Sequence, residues 1–263
     1  NTSVTVTGGN GSFNNGSGQI LAQNIATLAL PNQAIDPSSA AYGTVNGGNG
    51  LNLSAQSVNN TGTWTLPGTT VNVSASQGIS NSGTINQGSG TLALNGAVTN
   101  AGTVTAKDLT VNGSLANQAG GTVTANDAFT LNGSGTNAGT VQAVNALTIS
   151  GSGYDNSNGV TKAGNGTPGT GNATINLTGD LSNAGGTLTA GNDLTITAAN
   201  VINSGVSGPG TTTTTTSTVT NTGLALGEVV GSDIIVHTRL HGGQDQSCCF
   251  VFTYDNSQVT LAD

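Results

Sequence analysis

The sequence predicts an all-β fold: a parallel β-helix, or solenoid, of about 20 residues per coil, followed by a small C-terminal β-hairpin element. Three observations carry this expectation. An apolar–X–apolar triplet recurs along the chain, an Asn follows most triplets, and the composition suits short strands and tight corners. The phrase NAGTVTAKDLTVNG at 100–113 returns nearly unchanged as NAGGTLTAGNDLTIT at 183–197.

The triplets are Leu51-Asn52-Leu53, Val71-Asn72-Val73, Leu92-Ala93-Leu94, Leu109-Thr110-Val111, Phe129-Thr130-Leu131, Leu147-Thr148-Ile149, Ile175-Asn176-Leu177 and Leu194-Thr195-Ile196. Their starts are 20, 21, 17, 20, 18, 28 and 19 residues apart. Alternation of this kind places every second side chain on one face of a strand. A second short strand often follows, as Thr-Trp-Thr at 63–65 or Thr-Val-Thr at 103–105 and 122–124. Several strands of three to five residues within one period cannot build a helical repeat. Gly and β-branched Thr suppress helix throughout. Stacked coils satisfy each other's main-chain groups, and their inward Leu, Val and Ile form one apolar column.

The second observation is Asn60, Asn81, Asn100, Asn117, Asn137, Asn183 and Asn203, with Asn221 as a late echo. An Asn at the same corner of successive coils can join a side-chain amide ladder. The Gly close behind supplies the positive φ of a tight corner. At about 4.8 Å per coil, nine or ten coils give a rod of roughly 45 Å.

The third observation is compositional. The 263 residues include 42 Gly and no Met, and only 5% are charged, against about 25% in ordinary chains. Hydrophobic residues still make up 34%, and they are rhythmic, which argues against disorder. Lys+Arg number 3 against 11 Asp+Glu, a net charge of −8 that excludes nucleic acid and anionic membrane surfaces as partners. No apolar run reaches the roughly 18 residues that would span a bilayer. The start, NTSVTVTGG, does not read as a signal peptide.

Residues 1–207 therefore read as a solenoid rod, most regular over 51–205. Val4-Thr5-Val6 and Leu28-Ala29-Leu30 seed early coils. The stretches 31–50 and 153–173 read as lateral loops, because insertions at corners leave the column intact. GPGTTTTTTSTVTNTG at 208–223 reads as a Thr-rich linker or edge. In 224–263 the composition changes: SDIIVHTRL (232–240) and SCCFVFTYD (247–255) read as two strands around a Gly-Gly turn, with QVTL (258–261) as a third.

At LSNAGGTLTAGNDLTITAANVINSG, 181–205, the chain resembles the filamentous haemagglutinin repeats of bacterial two-partner-secretion exoproteins. The resemblance covers roughly 51–205. It implies a right-handed β-helix, export through an outer-membrane secretion partner, a secreted or cell-surface location, and adhesion or surface-fibre roles. It brings no catalytic residues and no cofactor. The family's N-terminal secretion module is not visible.

Candidate sites are few. In 232–241, His237, Arg239 and His241 share one strand face, but the two His lie about 13 Å apart along an extended strand, too far for one ion. Adjacent Cys248 and Cys249 point to opposite faces. They are separately buried or free, bridged to another subunit, or joined as a vicinal disulfide. Asp108, Asp127 and Asp193 each precede a strand, where an Asx turn accounts for them better than calcium or a glycosidase pair. Only Lys107 and Lys162 supply cations within the rod, which leaves polysaccharide cleavage without a charged cluster. Trp64, Tyr42 and Tyr154 could line a sugar patch, although a single Trp in a repeat strand belongs in the core.

The expectation is thus a non-enzymatic subunit of a secreted extracellular fibre, a head-to-tail homopolymer. TSVTVTG begins a strand at once, leaving an open edge. The subunit interface is expected to use Val4 and Val6 at one end and His237, Arg239, His241, Cys248, Cys249, Phe250 and Phe252 at the other. The alternative is a monomeric adhesin piece whose lateral loops touch glycans or proteins. A polysaccharide-degrading enzyme is the remaining class.

Overall fold

A computed structural model of the chain describes residues 2–165 and 169–204 in full and, beyond them, the main chain of the strands between Val206 and Ala262. Each coil runs through three faces. The first-face strands carry the triplets and stack in parallel, in register, along the chain. Ten rungs begin at Val4, Ala26, Leu51, Val71, Leu92, Leu109, Phe129, Leu147, Ala173 and Leu194. Leu92, Leu109 and Phe129 are vertical neighbours, each almost fully buried. The solenoid expected from the repeat is therefore the fold.

Two triplets need correction. Leu147 and Ile149 stack on Ala173 and Ile175, so the rung is Ala173-Thr174-Ile175, two residues before the expected Ile175-Asn176-Leu177. Likewise Val4 and Val6 stack on Ala26 and Leu28, not on Leu28 and Leu30. The physical reason is the same in both. A two-residue slip keeps every side chain on its proper face, and an inward Ala is acceptable where long neighbours fill the column. Corrected, the coil that starts at Leu147 is 26 residues long.

The second face holds Val58, Ile79, Val98, Leu115, Gly135, Tyr154, Leu181 and Val201 in one inward column. Gly135 makes room there: a Cβ on it would sit 2.7 Å from the Tyr154 ring. The third face stacks Trp64, Ile85, Val104, Val123, Val141, Thr161 and Leu188. At the corner between the first two faces, Gly113 has φ 142° and a Cβ on it would lie 2.3 Å from the Gly96 carbonyl. Only Gly tolerates both conditions.

Much of 31–50 and 153–173 is wall and not lateral loop, although 36–43 is a turn between strands. Residues 31–35 finish the strand Ile25–Ile35, and Ala34 and Ile35 pair with Ser57 and Val58. Thr44–Gly47 pairs with Gln19–Ala22 in a two-stranded sheet that widens the first two coils. Tyr154–Asp155 and Val160–Ala163 are ordinary rungs, and Asn172–Leu177 opens the next coil. Between Val160–Ala163 and Asn172–Leu177 the described residues 164–165 and 169–171 are outside strands, and 166–168 lie outside the described residues.

Stacking also continues past 207. Thr218–Asn221 pairs with Asn200–Asn203, placing Asn221 opposite Asn203, and Leu224–Ala225 pairs with Val206–Ser207. The C-terminal strands differ from the expected hairpin. Ile234–Thr238 pairs antiparallel with Gly227–Gly231, and Val251–Asp255 with Gln258–Ala262. Each strand takes its sequence neighbour, for which the closing loop is shorter and entropically cheaper than the turn over 241–246.

Candidate functional site

The Asn ladder is the dominant polar feature of the rod. Asn60, Asn81, Asn100, Asn117, Asn137, Asn156, Asn183 and Asn203 are all buried at one corner, between the second and third faces. Each side-chain NH2 donates to the next Asn carbonyl at 2.7–2.8 Å. The same groups also bind the main chain. Asn100 Nδ2 donates to Gly102 C=O at 3.0 Å within its coil and to Thr122 C=O at 3.2 Å in the next. The ladder therefore fixes both the corner and the vertical register. Asn156 was absent from the expected set, although it stands nine residues after Leu147, the usual interval, with Gly159 close behind.

The ladder is coupled to a buried hydroxyl network at Asn156. The Tyr154 hydroxyl lies 2.7 Å from Thr161 Oγ1, and Thr161 donates to Asn156 Oδ1 at 2.8 Å. Burial pushes the Tyr154 phenol well above the ordinary tyrosine pKa, against the opposing hydrogen bonds of Thr161 and Asn137. Tyr42 is raised for the same reason. The Trp64 indole beside it lowers it slightly without closing a hydrogen bond. Tyr42, Trp64 and Phe13 pack edge to face, with centroids 6.1 and 6.0 Å apart. All three aromatics proposed for a sugar patch, Trp64, Tyr42 and Tyr154, are core residues.

The acids sit in surface ladders. Lys107 Nζ lies 2.9 Å from both Asp108 and Asp127, one coil apart. The Lys107 ammonium is raised, first by its hydrogen bond to Asp108 and then by that to Asp127. Asp127 is lowered by the Asn145 amide and then by Lys107. Asp193 accepts from Asn192 at 3.2 Å. None of the three closes the expected Asx turn; Asp36 and Asp155 do, each accepting from the N–H two residues on at 2.9 Å. Among the described residues no group of three or more His, Cys, Asp or Glu could hold a metal ion.

The expected interface residues fall at the two ends. Val4 and Val6 lie on the first rung, half buried, opposite Ala26 and Leu28. His237 is on a strand opposite Glu228, and Phe252 on a strand opposite Leu261. Arg239, His241, Cys248, Cys249 and Phe250 lie outside the described residues. No described helix is long and apolar enough to cross a membrane.

Stacked parallel rungs, an inward apolar column and an amide ladder define the class: a parallel β-solenoid of about ten turns, compatible with β-helix repeat proteins. Comparison with protein-family models, curated proteins and solved structures gives no match to this chain.

Proposed function

We propose that this solenoid is a structural subunit of a secreted bacterial fibre, built by end-to-end stacking of rods. The observation that carries the reading is the uniform rod: ten parallel rungs stacked in register around one apolar column, a repeat that can continue from one copy to the next. Copies of one chain share the rung spacing, so a head-to-tail contact continues the column and does not close. Ile234–Thr238, Val251–Asp255 and Gln258–Ala262 add antiparallel pairs after the parallel rungs, Val251–Asp255 lying against Thr218–Asn221, and the contact with the next subunit is assigned to this end. The resemblance to filamentous haemagglutinin repeats supports a surface-fibre role, an outer-membrane secretion partner and an extracellular location. The role needs no catalytic group.

Negative-stain electron microscopy of the purified chain tests this. Long unbranched filaments are expected, and removal of residues 224–263 is expected to leave β-rich monomers. Isolated rods from the full chain, or filaments that survive the truncation, would overturn the assembly scheme.

A further inference from the structure

The outward side of the third face repeats a Thr-X-Thr pattern. Its first file runs Thr63, Thr84, Thr103, Thr122, Thr140 and, past Val160, Thr187, each opposite the next in register. Two residues along each strand, a second file carries Thr65, Thr105, Thr124 and Thr189, with Asn86 and Gln142 between them. No register shift interrupts these seven rungs. Lys162, on the sixth rung beside Val160, is the one charged side chain in either file, so the first five rungs are neutral. Among the described residues, the hydroxyls of Thr103, Thr105, Thr122 and Thr140 bond to no other protein group. Thr124 accepts only the Gln142 amide, at 3.4 Å. The hydroxyls of this face are therefore left to water.

The buried Asn ladder holds this face in place. Each ladder Asn donates to the main-chain carbonyl of the first-file residue in the next coil. Asn60 bonds Thr84, Asn81 bonds Thr103, Asn100 bonds Thr122 and Asn117 bonds Thr140, at 3.1–3.2 Å. The ladder therefore sets the height of every residue in the file. Side-chain ladders also hold a stacked sheet flat against its natural twist. Thr, branched at Cβ, has few χ1 choices. Its hydroxyls form a lattice with steps of about 4.8 Å along the rod and about 6.6 Å along the strand.

From this the geometry points to an ice-binding face. Water in ice is tetrahedral. Its O–H···O links of about 2.75 Å put second-neighbour oxygens about 4.5 Å apart, with a perpendicular repeat of about 7.3 Å in the hexagonal crystal. The two lattices differ by about 0.3 Å and about 0.7 Å per step. Over the four steps from Thr63 to Thr140 the first mismatch sums to about 1.2 Å, about a quarter of one lattice step. The file therefore stays in phase with the crystal surface. Each Thr offers a hydroxyl to bond lattice water and a methyl that makes no competing polar contact. Neutrality matters as well, because a charged group orders water around itself and not on the crystal lattice. An array fixed before binding loses little freedom on docking. The first face lacks the double file: its outward Thr110, Thr130 and Thr148 form a single row, bordered by the Asp108 carboxylate. The third face is lateral, and the assignment does not rest on the fibre proposal.

The test grows ice slowly in a dilute solution of the full chain and follows ice recrystallisation at micromolar protein. The chain is expected to concentrate in the ice and to suppress recrystallisation. Thr122→Tyr sets a bulky ring at the centre of the face and is expected to weaken that suppression about tenfold. Thr105→Lys adds a charge on the same face and is expected to act likewise. Thr130→Tyr, equally outward on the first face, is expected to leave suppression unchanged. Circular dichroism of all three should match the parent, since none of the new side chains enters the core. Four results would overturn the assignment: a parent chain excluded from ice as an inert protein is; Thr122→Tyr and Thr105→Lys as active as the parent; Thr130→Tyr as weak as either; or parent rods that sediment as lateral pairs which both third-face variants separate, which would make a second copy the occupant. Filament formation in micrographs is a separate readout, unaffected by Thr122→Tyr.

Discussion

The coils between Leu51 and Leu147 and the two coils before them use the same residue types but stack differently. In the middle, three faces recur every 17 to 21 residues and every inward position falls on a column. In the first two coils a fourth side appears, Gln19–Ala22 on Thr44–Gly47, and the third-face strand is missing. Its place in the core is taken by rings from turns, Tyr42 over Trp64 and Phe13 beyond it. Among the described residues, the three buried side-chain atoms without a partner, on Gln33, Tyr42 and Asn60, belong to this end or its border. An apolar column can be continued by any side chain that reaches it. A hydrogen-bond ladder needs backbone and amides at the correct height, so it is the first thing lost where the repeat is interrupted.

The ladder gives the largest contrast. Asn100→Ala leaves the Asn81 donor, the Asn117 acceptor and the Gly102 and Thr122 carbonyls short of partners. At about 1–3 kcal/mol for each buried group left unmade, with mutual strengthening in the chain, a loss of about 4 kcal/mol is expected. Asn60→Ala also removes an acceptor that had no partner, so about 2 kcal/mol is expected there. Urea unfolding of both variants checks the difference, and equal losses would mean the ladder is not continuous.

The two tyrosines sharpen the contrast. Tyr154→Phe removes one of the three hydrogen bonds of the Thr161 hydroxyl, which keeps Asn137 and Asn156, and should cost about 1 kcal/mol, whereas Tyr42→Phe removes an unpaired hydroxyl and should cost nothing or stabilise slightly. Both phenols have folded pKa values above the unfolded value of about 10. Their contribution is therefore complete below pH 10 and is lost as pH rises beyond it. Tyrosinate absorbance from these two rings should appear only with unfolding.

The smallest effect is expected at Lys107→Ala. The triad with Asp108 and Asp127 lies at the surface, with an exposed Lys107 and half-buried carboxylates, and is screened by salt. A melting temperature indistinguishable from that of the parent is expected. The lowered Asp127 carboxyl favours the fold above the ordinary carboxylate range, and that contribution fades as acid protonates it.

Much of the rod was legible because its positions repeat. The triplets from Leu51 to Ile149 pair in the expected register, and seven ladder Asn residues were visible by spacing. Asn156 was legible too, by its distance from Leu147, but the long coil around it hid the rhythm. The slip at Ala173 was not legible, since Ala-X-Ile and Ile-X-Leu both alternate correctly and the bulkier pair is the stronger signal. The missing third-face strand before Thr63 could not be read from sequence. It depends on Tyr42, an apolar ring in a Ser-rich turn, reaching a column twenty residues away. Nor could the C-terminal pairing, which turns on loop closure and not on strand pattern.

Spin labels on the outward first-face column test the central claim of ordered, in-register rungs. Thr27, Thr110 and Thr195 lie in that column, with four rung steps from Thr27 to Thr110 and eight to Thr195. Pulsed dipolar spectroscopy should find the longer separation, about 38 Å, at twice the shorter, about 19 Å. Separations that do not double between the two pairs would contradict the stacking.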